Sequence, residues 1–282
     1  MTTLNRLSLL LLALLILILS ACQSQVDAPQ ADLSTERHDP YQDGEVRELS
    51  LNGETLHYEV IDGLAIYEGD IVMGRAAALE AKLASQGITI DTSCVLWLCH
   101  DYHWPNGIVR FRIDASLSTT MQNRVNAAIA HWEANTQIDF RAKRSSDSDF
   151  VEFTSGSGCS SMVGRQGGRQ TINLSSACST GSVIHEIGHA VGLFHEHTRC
   201  DRDNRIRVNW GNIQFDKWSQ FFTHCSDATD RGSYDFGSIM HYGRFAFSSN
   251  GLASFDCLTT CTNVGQRNGL STRDIQTVNN FC

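Results

Sequence analysis

The sequence predicts an α+β fold built on a twisted mixed sheet, and three observations carry that prediction. Several short runs alternate apolar and polar residues as half-buried strands do, most clearly Ile108-Val109-Arg110-Phe111-Arg112-Ile113. Two stretches place apolar or metal-ligating residues at helical spacing, with further strand candidates between them. Beyond Gly192 the periodicity fades, so the C-terminal half is expected to be mostly irregular up to one last helix.

The elements follow in order. Residues 1–21 read as a signal peptide: Arg6 supplies a positive start, and the apolar run Leu7–Leu19 is shorter than the ~20 residues a membrane span needs. No other segment is long and apolar enough to span a bilayer. Residues 22–45 are polar and read as a flexible tether. In residues 46–100, Leu56–Ile61 and Leu64–Tyr67 predict strands around the turn dipeptide Asp62-Gly63, and the alanine-rich Arg75–Ser85 predicts a helix. Residues 101–282 form the main globular unit. After the strand Ile108–Ile113, Ser118 or Thr119 opens a helix to Ala134 that buries Met121, Val125, Ala128, Ile129 and Trp132. Ile138–Arg141, Phe150–Phe153 and Thr171–Leu174 are strand candidates. Ser271, with Asp274 three residues on, opens the last helix.

A net charge of −9, from 31 acidic and 22 basic residues, argues against a nucleic-acid partner. The tetrapeptide Leu19-Ser20-Ala21-Cys22 resembles the lipobox of bacterial lipoproteins, which implies a lipid on Cys22 and a membrane-anchored, exported protein. Export makes the ten cysteines disulfide candidates, of which nine remain if Cys22 is lipidated. Proximity alone suggests Cys94 with Cys99, Cys200 with Cys225, and Cys257 with Cys261. A cysteine zinc site has no CxxC pair to support it.

The most informative stretch is His185-Glu186-Ile187-Gly188-His189-Ala190-Val191-Gly192-Leu193-Phe194-His195. On a helix, His185 and His189 lie one turn apart on the same face and reach one metal ion. A third ligand cannot lie on the same straight helix, but Gly192 can adopt the left-handed conformation that ends it and turns the chain back. His195 then completes a three-histidine zinc site with the fourth position open, which is the catalytic and not the structural arrangement. Glu186 is placed to act as general base on the attacking water.

The pattern HExxHxxGxxHExxR resembles the astacin family of zinc endopeptidases, within the metzincin group. Ser238-Ile239-Met240-His241-Tyr242-Gly243 resembles that family's Met-turn, and Met240 falls 45 residues after His195. The resemblance covers about residues 100–282. It implies one catalytic Zn2+, hydrolysis of protein or peptide substrates through a zinc-activated water, and a monomer. It further implies that Tyr242 is a displaceable fifth zinc ligand that helps stabilise the oxyanion, that Met240 floors the metal, and that Glu196 binds the mature N-terminus. Cys159 and Cys178 match a family disulfide, whereas the usual partner of the C-terminal Cys282 is missing from Asn135–Arg141. Arg199, Asp201, Arg202 and Asp203 read as a structural ion-pair network.

Tyr67-Glu68-Gly69-Asp70 resembles the FxGD motif of astacin propeptides, with tyrosine for phenylalanine. By that resemblance Asp70 ligates zinc in a latent form, and residues 46–100 are an inhibitory propeptide. Cleavage between about Ile71 and Trp104 would then unblock the metal and free the catalytic part from the lipid together. Two other functions fit the same metal site: a silent surface-binding protein that keeps the zinc fold, and a hydrolase of a non-protein amide such as peptidoglycan.

Overall fold

The computed structural model describes residues 44–51, 54–86, 103–225 and 228–280. The expected leader, Cys22 and nearly all of the tether lie outside the described residues, as do Cys94, Cys99 and Cys282. All described residues fall within one compact unit, residues 33–282. Among them no helix is long and apolar enough to cross a membrane.

In chain order the elements are β1 (Glu45–Leu51), β2 (Glu54–Ile61), β3 (Leu64–Tyr67), β4 (Ile71–Arg75), α1 (Ala76–Gln86), β5 (Ile108–Ile113), α2 (Thr119–Asn135), β6 (Asp139–Ala142), β7 (Phe150–Ser155), β8 (Cys159–Ser161), β9 (Arg169–Leu174), α3 (Thr180–Val191), β10 (Ile206–Val208), β11 (Phe255–Cys257) and α4 (Thr272–Asn279). The α+β expectation holds. Asp62 and Gly63 make the β2–β3 turn with φ of 51° and 74°, the positive values that suit the twist of paired strands. Ser118 caps α2 by accepting the Met121 N–H at 3.2 Å, and the five apolar residues named for this helix are its buried face.

Strands β1, β4, β8, β10 and β11 are not among the expected ones. β8 reads only Cys-Ser-Ser, too short to show alternation, and β4 carries a glycine at φ 129°. Glu45 already belongs to β1, so the expected tether is shorter by that residue.

The main sheet runs in the order β1-β2-β3-β4-β8-β9-β7-β5-β6. β1 to β4 are an antiparallel meander, β8–β9 is antiparallel, and β4–β8, β9–β7, β7–β5 and β5–β6 are parallel. The junction is Ile71 against Ser161, where the Ser161 N–H donates to the Asp70 carbonyl at 2.9 Å. The sheet therefore crosses the expected division near residue 100. β4 satisfies the outer side of β8, which would otherwise be a bare sheet edge. Side chains seal the same seam: Tyr67 and Ile71 pack with Val163, and Ile66 and Val72 with Met162. Fully burying a large apolar side chain contributes ~1.5–3 kcal/mol, and Ile66, Ile71, Val72 and Val163 are each at most 2% exposed.

The principal core lies between α2, α3 and strands β5, β7 and β9. Two indoles fix α3 by its backbone: Trp132 Nε1–H donates to Ile184 O at 3.0 Å and Trp104 Nε1–H to Ala190 O at 2.9 Å. Disulfides join Cys159–Cys178, Cys200–Cys225 and Cys257–Cys261, so the described pairings agree with those expected.

Candidate metal centre and active site

α3 begins with a reciprocal capping box between Ser179 and Ser182 and ends at Gly192, whose φ of 115° and ψ of 11° lie in the left-handed region. The chain reverses there, and His195 returns to within 4.7 Å of His189 and 5.3 Å of His185, measured between ring centroids. Asp70 enters the same space from the β3–β4 turn. One ligand atom from each of Asp70, His185, His189 and His195 lies within 4.8 Å of the others, and all four residues are buried.

The hydrogen bonds determine which nitrogens face inward. His185 Nδ1–H donates to Ile239 O and His189 Nδ1–H to Leu193 O, both at 2.8 Å, and His195 Nδ1–H donates to Glu68 Oε2 at 2.7 Å. Carbonyls and carboxylates only accept, so each ring carries its proton on Nδ1 and directs the Nε2 lone pair at a common centre. Asp70 stands 3.1 Å from His185 Nε2, 3.4 Å from His189 Nε2 and 3.2 Å from His195 Nε2, and the last is 3.3 Å from His185 Nε2. Tetrahedral ligands ~2.0–2.1 Å from zinc are ~3.3 Å apart, close to the contacts of Asp70 with the three rings, so the donor set suits one ion. Asp70 Oδ1 and His189 Nε2 make no hydrogen bond despite their burial, as ligand atoms facing a cation would.

Charge points the same way. Burial alone would raise the Asp70 and Glu68 carboxyls, but His195 and its neighbours overcome it: Asp70 sits well below the usual range, and Glu68, helped by His224 and His195, at about 2. Burial pushes His185 down to about 3, which suits a neutral ligand. His195 goes the other way, to about 9, because Asp70 and Glu68 outweigh its burial. Two buried carboxylates thus meet at His195, whose ring takes a second proton, on Nε2, when no metal is bound; a divalent cation would take that proton's place and restore the Nε2 lone pair as a ligand.

Met240 is 2% exposed and lies directly under α3; a Cβ on Gly188 would stand 2.5 Å from its sulfur. The Met-turn is held by Asp274, which accepts from Ser238 Oγ–H at 2.6 Å and the Ile239 N–H at 2.9 Å while capping α4. The carbonyl that orients His185 is therefore positioned through Asp274, a second duty its N3 position in a helix cap did not reveal. Glu186 is buried beside His185 on α3. Tyr242 is fully buried with its ring stacked 3.7 Å from His197, and its hydroxyl donates to the Glu68 carbonyl at 2.6 Å.

Glu196 accepts the Asp235 N–H at 2.6 Å, and burial, only partly opposed by Arg199, raises its carboxyl to about 8. It faces a cavity of about 290 Å³ that Asp274 and His103 also line. Arg199 pairs with Asp201 at 2.9 Å and Arg202 with Asp203 at 2.7 Å, the expected network. Sequence reasoning missed Glu68 and His224. Glu68 occupies the variable place of its motif, and His224 lies in a stretch without periodicity.

The family model described as Astacin, a peptidase family, matches residues 99–282. Zinc metalloproteinase nas-13 of Caenorhabditis elegans is 36% identical over 179 residues, covering 62% of this chain and 40% of that protein. Zinc metalloproteinase nas-36 of the same organism is 34% identical over 252 residues, 86% of this chain and 40% of its own length. Among solved structures, high choriolytic enzyme 1, a hatching enzyme zinc-protease from Oryzias latipes, aligns with a TM-score of 0.58 at 35% identity, covering 63% of this chain and 90% of that one. The chain spans about two fifths of the length of the first curated relatives it matches.

Proposed function

The chain belongs to the astacin family, and on that premise we propose that it is a zinc-dependent endopeptidase made in a latent form and anchored through a lipid on Cys22. The observation that carries the reading is the convergence of three imidazole Nε2 atoms and the Asp70 carboxylate, each ring oriented by an acceptor at Nδ1. Zinc in that site supplies Lewis acidity and lowers the pKa of a water to about 7. Glu186 takes the attacking water's proton and returns it to the leaving amine. Its burial beside the first ligand suits that work. Tyr242 gives up its hydrogen bond to Glu68 when the segment leaves and offers its hydroxyl to the oxyanion.

Asp70 supports latency because its carboxylate takes the place among the three rings that substrate and water need. The alignment to nas-36 is too long to fit within residues 99–282, so the likeness reaches into the segment that bears Asp70. After cleavage, Glu196 receives the new N-terminal ammonium in the cavity it shares with Asp274. The lipid would be on the removed piece, so one cleavage both unblocks the metal and releases the enzyme.

Casein digestion by the processed forms of wild type and Glu186→Gln tests the activity: proteolysis lost in the variant supports it, and equal digestion, or none in processed wild type, contradicts it. Mass spectrometry of the active form tests the coupling, which fails if lipid remains on the catalytic fragment.

A further inference from the structure

We propose, on the premise that the chain is a latent zinc endopeptidase, that Glu68 is a second inhibitory determinant. It is a positioning residue that fixes the ring of the third ligand and pins the segment's turn without touching the metal.

Glu68 is 0% exposed and both its carboxylate oxygens are engaged. Oε2 accepts from His195 Nδ1–H at 2.7 Å and Oε1 from His224 Nε2–H at 2.6 Å. His224 is itself fixed relative to His195. Its backbone N–H donates to Thr198 O at 2.9 Å, and Thr198 Oγ1–H donates to His195 O at 2.8 Å. Glu68 therefore closes a circuit that runs His195, Thr198, His224, Glu68 and back to His195. The Phe194 ring packs 4.8 Å from His224, and the disulfide Cys200–Cys225 ties the next residue to the same loop.

The backbone argues that this side chain is wanted here. Glu68 has φ of 48°, a left-handed conformation that costs a residue with a Cβ ~1–2 kcal/mol and that glycine adopts freely. A strained glutamate persists because surrounding contacts overdetermine it, here through two charge-assisted hydrogen bonds. The comparison among ligands is equally direct. The Nδ1 atoms of His185 and His189 are held by carbonyls of Ile239 and Leu193, which stay with the catalytic part. The Nδ1 carboxylate of His195 belongs to the removable segment. Departure of the segment thus withdraws a ligand, Asp70, and the orienting partner of another, in a single event.

The test is the rate at which the full, zinc-loaded chain gives up its metal to a chromogenic chelator. Glu68→Gln keeps the shape but removes the charge and turns an amide N–H₂ toward one of the two imidazoles. Loss of an outer-shell partner costs ~10–100-fold in metal affinity, so release should accelerate about tenfold or more, with a parallel rise in peptide cleavage by the unprocessed chain. His224→Gln weakens the same carboxylate from the other side and should act in the same direction with a smaller factor. Release within twofold of wild type in both variants overturns the proposal. So does a lowered thermal midpoint with unchanged release, which a merely structural glutamate would give. Processing yields the same fragment from wild type and Glu68→Gln, because residue 68 leaves with the segment. If mass spectrometry finds residue 68 in the active form, the latency premise has failed and not the role of Glu68 toward the metal.

Discussion

On the helix side of the metal centre, His185 and His189 are aimed by α3, by Gly192 and by backbone carbonyls of the catalytic part. On the hairpin side, Asp70 and Glu68 ride on a turn whose Glu68 and Gly69 both have positive φ, held by side-chain contacts and one sheet seam. In the latent form proposed above, the first side persists and the second is withdrawn on activation. Under that proposal one metal is shared by a permanent and a temporary half, and substitutions on the two halves should change activity with opposite sign.

The largest expected effect is on the permanent side. Glu186→Gln should lower casein hydrolysis by the processed protein ~10²–10⁴-fold while zinc content, measured by atomic absorption, stays at one per chain. Loss of the zinc as well would mean that Glu186 builds the site instead of working in it. On the temporary side, Asp70→Ala should raise cleavage of a short peptide by the unprocessed chain about tenfold or more, since ~1.4 kcal/mol of lost occlusion is a factor of ten. A fall instead would erase the contrast in sign. Gly69→Ala should raise the same unprocessed activity by a smaller factor. Its φ is 72°, and the added Cβ would meet Phe247 at 2.9 Å, so the turn is strained by ~1–2 kcal/mol. The smallest effect belongs to Gly192→Ala, at φ 115° with open space around it: a stability loss of ~1 kcal/mol, read as a lower thermal unfolding midpoint.

The permanent half was the more legible in sequence, and the reason is physical. A helix repeats every 3.6 residues, so the one-turn spacing of His185 and His189 specifies their shared face, and a glycine at position 192 marks the reversal. Met121, Val125 and Trp132 announced α2 in the same way. The temporary half gave its Asp62-Gly63 turn and, through a four-residue likeness, Asp70. It hid Glu68, because that role depends on His195 and His224, which lie 127 and 156 residues away in sequence. Asp274 was legible as a helix cap and illegible as the clamp on Ile239, for the same reason. β8, at three residues, carries no periodic signal, yet it is where the two halves of the sheet meet.

X-ray absorption at the zinc edge of the purified, unprocessed chain tests the shared centre most directly. The account predicts one zinc with three imidazole nitrogens at ~2.0–2.1 Å and one carboxylate oxygen at ~2.0–2.2 Å, the oxygen contribution changing in Asp70→Ala. A shell containing sulfur, or fewer than three imidazoles, would contradict it.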